Sequence, residues 1–291
     1  MRFLVAISSP IYSERTLQIG SSIAEAFKAE LSVVYVGDRP KALATGGVNL
    51  ARDAMLNWDI HHPGVDVLRW AYSRLQEYEF IDADAEQFDP KDLVEDDGRL
   101  RVVVPHTHGE KIRLILREGD PVEELKQETN IRDYPLTIVG GGSRKRLTRQ
   151  LIQFIDTSLL FVKNFDVDKK YKLLLCVDDS AATRRAVMFC GRVAQALDTE
   201  VMLVTASKTK GFGPGYSKAA AWAKRYMERL KIAHTQEFVT GDPATTFVRL
   251  AGSDHIIVMG KSKMHPLKAW LTGTKPGDTV LKADSPAILV K

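Results

Sequence analysis

The chain has 291 residues, 44% of them hydrophobic and 27% charged, which is ordinary for a folded globular protein and leaves room for two domains with their own cores. No apolar run approaches the roughly 20 residues of a membrane-spanning helix, so we expect no membrane partner. The net charge of +4 divides unevenly, into +9 for residues 168–291 (20 Lys and Arg against 11 Asp and Glu) and −5 for the remainder (21 against 26).

Two similar series of apolar runs and amphipathic segments follow one another along the chain. The first begins with a strand at residues 2–8, a helix over about residues 13–29 and a second strand at residues 31–36. It resumes after an interruption with a turn at Gly119-Asp120-Pro121 and a strand at residues 136–140. This alternation predicts a parallel sheet with helices on both faces.

The interruption, at about residues 38–110, is an insertion into the first series. Residues 65–78 have apolar positions at helical spacing, and a shorter helix is expected near residues 49–58. Residues 77–97 are acidic. The turn sequence Asp96-Asp97-Gly98 and the apolar run after it predict an extra hairpin in the first domain.

The second series repeats the first. Residues 2–8 match residues 172–178 with an offset of 170, whereas Gly119 matches Gly241 with an offset of 122, so the first copy carries about 48 additional residues. The remaining elements expected in the second copy are helices over residues 181–197 and 216–230 and strands at residues 200–205, 255–260 and 285–290. The duplication predicts two tandem, doubly wound, open parallel sheets in an α/β chain, with domains at residues 1–165 and 170–291.

The two cysteines, Cys176 and Cys190, both lie in apolar segments of the second copy. Free, buried thiols are the expected state of such residues. They are typical of a reducing compartment, which predicts a cytoplasmic location.

The segment from Gly260 to Thr274 follows a predicted strand and precedes a helical pattern. A glycine at the end of a strand lets a ligand approach the backbone closely. Gly273-Thr274 opens the helix, where free N–H groups, a hydroxyl and the helix dipole favour an anion. The same loop contains three lysines: Lys261, Lys263 and Lys268. The pattern indicates a phosphate-binding loop, although it lacks the Gly-Lys-Ser/Thr ending of a Walker loop.

This loop resembles the nucleotide motif of the universal stress proteins, in which two spaced glycines are followed by Gly-Ser/Thr. Gly260 and Gly273-Thr274 match the motif, whereas Lys263 stands in place of its second glycine and either contacts a phosphate or fills the pocket. The resemblance covers nearly the whole chain as two copies and implies the adenine-nucleotide alpha-hydrolase-like fold. It also implies a stress-response protein that binds ATP or AMP, with or without Mg²⁺, in its second domain.

The resemblance implies further contacts at the same sheet edge. Asp178 ends the first strand of the second copy, where the family has a residue that contacts adenine or ribose; a helix cap is the alternative role. Val204 lies where family members use backbone atoms of the second strand, and Asp179 replaces a usual glycine. Gly241-Asp242-Pro243 also matches a family turn, but we expect Asp242 to cap a helix. Because ligands bind where the strand order of such sheets reverses, Asp178 and Gly260 should lie close together.

The first copy lacks the nucleotide features. Ser8 occupies the position of Asp178, and Gly140 to Val162 is eight residues shorter than Gly260 to Val290, so the Gly-Ser/Thr element is missing. The glycine turn at residues 140–142 either holds an anion or is solvated. Four histidines of the insertion are expected to be solvated rather than bound to a metal: His61, His62, His106 and His108.

No nucleophile with an adjacent base and no paired carboxylates stand out, so no catalytic residue is predicted, and at most weak ATP hydrolysis is expected. The prediction is a regulatory nucleotide-binding protein; the alternative is an interaction or scaffold module of the same fold. An unidentified protein partner is expected in either case. The lysines are spread over the basic half, and we expect no interleaving with aromatic residues and hence no nucleic-acid partner.

The last apolar runs of the two copies, at residues 158–162 and 285–290, are short predicted strands. In the universal stress proteins such strands commonly pair two domains, which implies an intramolecular pseudo-dimer here. An exposed apolar edge strand would otherwise favour aggregation. A homodimer that uses the insertion as a contact surface stays open.

Overall fold

The protein is described by a computed structural model that covers residues 1–38, 62–109, 111–141, 145–261 and 275–291. The chain divides into two compact units, Met1–Gly140 and Gly141–Lys291. Both units alternate strands with helices, which confirms the predicted α/β class. The helix expected near residues 49–58 lies outside the described residues.

Six strands and three helices are described in the first unit. In chain order they are β1 (Arg2–Ile7), α1 (Pro10–Ala26), β2 (Glu30–Gly37), α2 (Pro63–Glu77), β3 (Val94–Asp96), β4 (Arg99–Pro105), β5 (Lys111–Glu118), α3 (Pro121–Ile131) and β6 (Leu136–Gly140). The strand order is β6-β1-β2-β5-β4-β3. The first four strands are parallel, whereas β4 and β3 pair antiparallel. The extra hairpin predicted from the insertion is therefore confirmed, and it extends the sheet beyond β5.

The second unit has six described strands and five described helices. They are α4 (Lys145–Phe154), β7 (Ser158–Val162), β8 (Lys172–Cys176), α5 (Ala181–Ala196), β9 (Val201–Ser207), α6 (Pro214–Arg229), β10 (His234–Thr240), α7 (Pro243–Ala251), β11 (His255–Gly260), α8 (Lys275–Lys282) and β12 (Ala287–Val290). The strand order is β10-β9-β8-β11-β12-β7, and only the β12–β7 pair is antiparallel. The pairing expected between the last strands of the two copies is thus present. Strand β7 therefore belongs to the second compact unit, which begins at Gly141. The predicted domain boundary at residues 165–170 is drawn from the sequence duplication, and it stays a prediction.

The central strands are buried along almost their whole length because helices cover both faces of a parallel sheet. Leu173, Leu174 and Leu175 of β8 are fully buried, as are Ile257 and Val258 of β11. β10, at the outer edge of its sheet, has mostly exposed or half-buried side chains. The continuous apolar runs of the sequence therefore mark the middle of each sheet rather than its edge.

Both cysteines are buried and free, as predicted. Burial raises the pKa of the Cys176 and Cys190 thiols, so neither is prepared to react as a thiolate. Among the helices that the structure describes, none has the length and apolar character needed to span a membrane.

A buried ion cluster joins the hairpin of the first unit to helix α3. Arg99 of β4 donates from Nη1 to both carboxylate oxygens of Glu128, at 2.5 Å each, and Arg117 of β5 donates from Nε to Oε2 at 3.0 Å. Tyr134 donates from its hydroxyl to Oε1 of Glu128 at 2.8 Å. The side chains of Arg99, Arg117 and Glu128 are completely buried. We call these four residues the Glu128 cluster; nothing in the sequence pattern predicted it.

Candidate functional site

The strand order of the second unit reverses between β8 and β11. After β8 the chain continues to β9 and β10 on one side of it, and later returns to β11 and β12 on the other side. In doubly wound sheets, ligands bind outside the carboxyl ends of the strands at such a reversal. The carboxyl ends of β8, β9 and β11 are therefore the candidate site.

Asp178 follows β8 and organises the turn into α5. Its Oδ1 accepts hydrogen bonds from the backbone N–H of Ser180 at 3.0 Å and from the hydroxyl of Thr183 at 2.5 Å. Its own N–H donates to the Thr183 hydroxyl at 3.2 Å. The side chain thus orders the turn that leads into α5, although the N-cap residue of that helix is Ser180, and Asp178 as a whole stays exposed.

Gly260 ends β11 directly beneath the first turn of α5. A Cβ at this position would lie 2.6 Å from the carbonyl carbon, the oxygen and the Cβ of Ala182. Close packing of the helix therefore explains why this position is a glycine. The explanation expected from sequence, close approach of a ligand, is not needed. Thr183 of α5 donates a hydrogen bond to Asp178, and its neighbour Ala182 packs against Gly260. Asp178 and Gly260, both predicted site residues, therefore contact the same first turn of α5.

Val204 lies inside β9, three residues before the strand ends at Ser207. The sequence predicts that this strand ends at Thr205, two residues earlier. Its carbonyl accepts from the N–H of Val177 at 2.9 Å, and its side chain is fully buried. Val204 therefore has its carbonyl engaged within the sheet.

Ala206 is the residue of β9 whose backbone points into the candidate site. The Val204 carbonyl faces β8, and the Ser207 carbonyl accepts from Gly241 on the β10 side. Because backbone groups along a strand alternate in direction, the N–H and C=O of Ala206 face the β8 side, beyond the last β8–β9 hydrogen bond at Val177. Sequence reasoning missed this residue because it placed the strand end too early.

Asp179 lies against the start of α6. Its Cβ and Oδ2 are 3.0 Å and 3.1 Å from where a Cβ of Gly215 would stand. Burial raises the pKa of the neighbouring Tyr216, and the charges of Asp179 and Asp178 raise it further. The Asp179 carboxylate therefore packs on a helix N-terminus, where the dipole favours negative charge.

The other predicted contacts, Lys263, Gly273 and Thr274, lie outside the described residues, together with the rest of residues 262–274. The structure describes the residue before this segment, Lys261, and the helix after it, α8.

Neither the available family models nor the curated protein sequences match this chain. Solved structures do match it. A universal stress protein from Archaeoglobus fulgidus DSM 4304 aligns with 100% of this chain and 96% of its own, with a TM-score of 0.62 and 13% identity. The chain has the fold of the universal stress proteins.

Two further structures with this fold extend the comparison. A putative universal stress protein from Pseudomonas aeruginosa UCBPP-PA14 aligns with 100% of this chain and 92% of its own, at a TM-score of 0.59 and 13% identity. The cytoplasmic domain of a prokaryotic cation chloride cotransporter aligns with 99% of this chain and 94% of its own, at a TM-score of 0.54 and 12% identity. The universal stress protein fold therefore accounts for the full length of the chain.

Lys261, at the start of the candidate loop, is turned away from the strand edge. Its Nζ donates to the carbonyl of Ile155 at 2.8 Å, and its backbone N–H donates to the carbonyl of Val290. Burial lowers the pKa of Lys261 to about 8. The cation that follows Gly260 thus binds the carboxyl end of α4 and is not available to a phosphate in this conformation.

The low pKa of Lys261 predicts a pH dependence of stability. An unfolded lysine titrates near pH 10.4, so between about pH 8 and pH 10 the unfolded chain binds more protons than the folded one, and stability rises with pH by at most about 1.4 kcal/mol per pH unit. Urea unfolding should give a pH slope of stability that is more positive in the wild type than in Lys261→Met, because the opposite slope from the two buried thiols, whose pKa values are raised, is the same in both proteins. The exposed Lys170→Met is the control and should retain the wild-type slope; equal pH slopes in the wild type and Lys261→Met would contradict the prediction.

The prediction of solvated histidines is wrong for His62. This residue is 3% exposed and begins α2: its Nδ1 accepts from the N–H of Gly64 at 3.0 Å, and its Nε2 lies 2.8 Å from Oε1 of Glu118. The capping role of His62 could have been predicted, because a polar residue directly before a proline is a typical helix cap. His108 is exposed, as predicted, and His61 lies outside the described residues. Within the described ranges, no group of three His, Cys, Asp or Glu side chains could hold a metal ion.

Proposed function

We propose that this chain is a regulatory protein of the universal stress type whose second unit binds an adenine nucleotide, AMP or ATP, at the carboxyl ends of β8, β9 and β11. One observation carries the proposal: an exposed carboxylate, Asp178, and the end of β11 at Gly260 are held together at the reversal point of the sheet. This is the place where the fold leaves a crevice for a ligand. A cytoplasmic location and a role in the stress response belong to the same proposal.

Each part of the edge has a distinct task in this proposal. The Asp178 carboxylate accepts hydrogen bonds from ribose hydroxyls or from the adenine amino group, and the backbone N–H and C=O of Ala206 read the edge of the base. Val204 supports the floor of the crevice. Lys263, Gly273 and Thr274 hold the phosphates, with Mg²⁺ where a triphosphate is bound.

A second candidate function is an interaction or scaffold module of the same fold. Two observations favour it: the glycine at position 260 is accounted for by packing against Ala182, and a cotransporter domain shares the fold over nearly its whole length. In this case the chain acts through a protein partner, and the strand edge stays without a nucleotide.

Titration calorimetry with AMP and with ATP tests the proposal. Wild-type protein should give binding heat, and Asp178→Ala should weaken the affinity by about 10- to 100-fold, since a hydrogen bond to a charged group contributes about 1.5–3 kcal/mol. The control is Asp120→Ala in the first unit, which removes a carboxylate that caps a helix start by accepting from the N–H groups of Val122 and Glu123. Its affinity should be unchanged.

The outcomes of this titration separate the two candidates. Equal weakening in Asp178→Ala and Asp120→Ala would show that the loss reflects folding and not a contact at the strand edge. No heat in the wild type with either nucleotide would favour the interaction module.

A further inference from the structure

Helices α5 and α6 of the second unit pack closely side by side. A Cβ on Gly191 of α5 would lie 2.8 Å from Cδ1 of Leu230 and 2.9 Å from Cε1 of Tyr226, so this glycine lets the two helices approach. Arg184, Met188 and Arg192 recur every four residues on α5, and all three are exposed. A stripe of cations around one apolar side chain therefore runs beside α6.

A row of stacked side chains connects the two helices. The guanidinium of Arg184 lies 5.4 Å from the ring centre of Trp222, and the Trp222 and Tyr226 rings stack at 5.7 Å with 26° between their planes. The guanidinium of Arg229 lies 5.2 Å from the ring centre of Tyr226. Trp222 and Tyr226 do lie between cations along α6, contrary to the expectation from sequence, and the fold adds Arg184 from α5. Stacking on the rings restricts the guanidiniums in advance of binding.

We call Arg184, Met188, Arg192, Trp222, Tyr226 and Arg229 the α5–α6 face. Arg, Trp, Tyr and Met are enriched in protein–protein interfaces, and Trp, Tyr and Arg are also enriched at the positions that contribute most to binding. Met188 is 43% exposed and gives the face an apolar centre. Its composition fits contact with another protein surface.

The charge of the two helices is almost entirely unopposed. Helix α5 carries three arginines and no acidic residue, and α6 carries four cations and one acid, Glu228. Among the described residues, the ion pair found within these helices is Lys224 with Glu228, at 3.8 Å. The remaining exposed cations are therefore available to an acidic partner.

The corresponding helices of the first unit show the contrast. Helix α1 carries one cation and two acids, and α2 carries two of each. Arg74 of α2 pairs with Glu14 of α1 at 3.3 Å and also with Glu77. The basic face is therefore a feature of the second unit and not a requirement of the fold.

We propose that the α5–α6 face binds the acidic segment, residues 77–97, of a second copy of this chain. The segment contains ten acidic residues and one lysine. Four of its exposed acids have no ion pair within the described part of the chain: Glu79, Asp82, Asp84 and Glu86. Opposite charges of this size favour association and set its orientation.

The acidic segment is held in a fixed conformation on α2. Gln76 donates from Nε2 to the carbonyls of Asp82 and Ala85, at 3.0 Å and 2.9 Å, and the hydroxyl of Tyr72 donates to the carbonyl of Glu86 at 2.8 Å. A segment fixed in this way loses little conformational entropy on binding. The carboxylates of this segment are therefore already positioned to accept hydrogen bonds from guanidinium groups.

A carboxylate partner fits the face better than a nucleic acid. The Trp222 and Tyr226 rings are already engaged with each other and with Arg184 and Arg229, which leaves less ring surface for a base to stack on. The N–H groups of the guanidiniums remain available, and they match a carboxylate in bidentate geometry.

Sedimentation velocity of the full chain tests the proposal. At about 10 mM salt, where charges act over about 30 Å, the average mass should increase with protein concentration; at about 150 mM, where they act over about 8 Å, the dissociation constant should rise by at least about tenfold. Arg184→Glu/Arg229→Glu should stay monomeric at both salt concentrations. The control Lys170→Glu/Lys210→Glu changes the net charge equally at exposed positions and should associate like the wild type.

A charge exchange identifies the occupant of the face. Asp82→Lys/Asp84→Lys alone should also be monomeric, but an equal mixture with Arg184→Glu/Arg229→Glu should associate again, because each altered surface meets its complement in the other protein. A wild type that stays monomeric, or a mixture that does not associate, would overturn the proposal. A monomeric wild type that binds poly(U) RNA through these arginines would assign the face to nucleic acid instead.

Discussion

Replacing Glu128 by Gln is expected to lower the free energy of unfolding by about 3–5 kcal/mol, the usual effect of removing one partner from a buried ion cluster. Glu128 is the shared acceptor of Arg99, Arg117 and Tyr134, and all of its hydrogen-bonding atoms are enclosed. Without its charge, the two guanidiniums lose their fully buried partner, and each keeps one partly exposed carboxylate, Asp96 for Arg99 and Glu124 for Arg117. The substitution changes shape very little, so the loss reports on charge.

Urea unfolding of the full chain, followed by circular dichroism, measures this effect, and hydrogen exchange of β4 and β5 assigns it to the first unit. Glu123→Gln is the matched control, because Glu123 lies on the same helix but pairs with Lys126 at an exposed position, at 3.6 Å. It should change stability by less than about 0.5 kcal/mol. A loss below about 1 kcal/mol in Glu128→Gln would mean that the cluster is solvated or can rearrange.

Gly260→Ala is expected to lower the free energy of unfolding by about 1–3 kcal/mol even without a ligand, which is the range for overpacking a tight contact. The added methyl group would meet backbone atoms of Ala182 at 2.6 Å, and a helix backbone cannot rotate aside as a side chain can. Either α5 shifts away from β11 or the strand end is distorted. Thermal and urea unfolding of the ligand-free protein measure the cost.

Gly211→Ala provides the control for this substitution. Gly211 lies in the loop after β9, and a Cβ there would meet no described atom within 4 Å. Its stability should match the wild type to within about 0.5 kcal/mol. If Gly260→Ala left stability unchanged and weakened only nucleotide binding, the glycine would serve ligand approach after all, and the packing explanation would be wrong.

The fold was predictable because burial leaves a clear record in sequence. The apolar runs that became β8, β11 and β12 are continuous since helices cover both faces of the sheet, and the repeat fixed the order of the elements. Asp178 and Gly260 could be placed at one edge from topology alone, about 80 residues apart in the chain.

The details of the site were less predictable because they depend on contacts that have no local signal. The end of β9 lies at Ser207 and not at Thr205, so the residue whose backbone faces the β8 side beyond the last β8–β9 hydrogen bond is Ala206. Position 260 requires a glycine because helix α5 packs directly against it, and no sequence pattern around this position reveals that contact. A strand end and a close helix contact are both set by tertiary packing.

Long-range polar contacts were missed for the same reason. Arg99 and Glu128 are 29 residues apart, and their pairing depends on the hairpin that the insertion adds beside β5. Arg184 and Trp222 meet only because α5 and α6 lie side by side. Charge and aromatic content can be counted in a sequence, but their arrangement on a surface comes from the fold.

The most direct test of nucleotide binding in the second unit is a crystal structure of the protein grown with AMP or ATP. We expect an adenosine at the carboxyl ends of β8, β9 and β11, with Asp178 in contact with the ribose or the base and the backbone of Ala206 beside the adenine. A nucleotide bound at the first unit alone, or saturating nucleotide with this edge still empty, would contradict it.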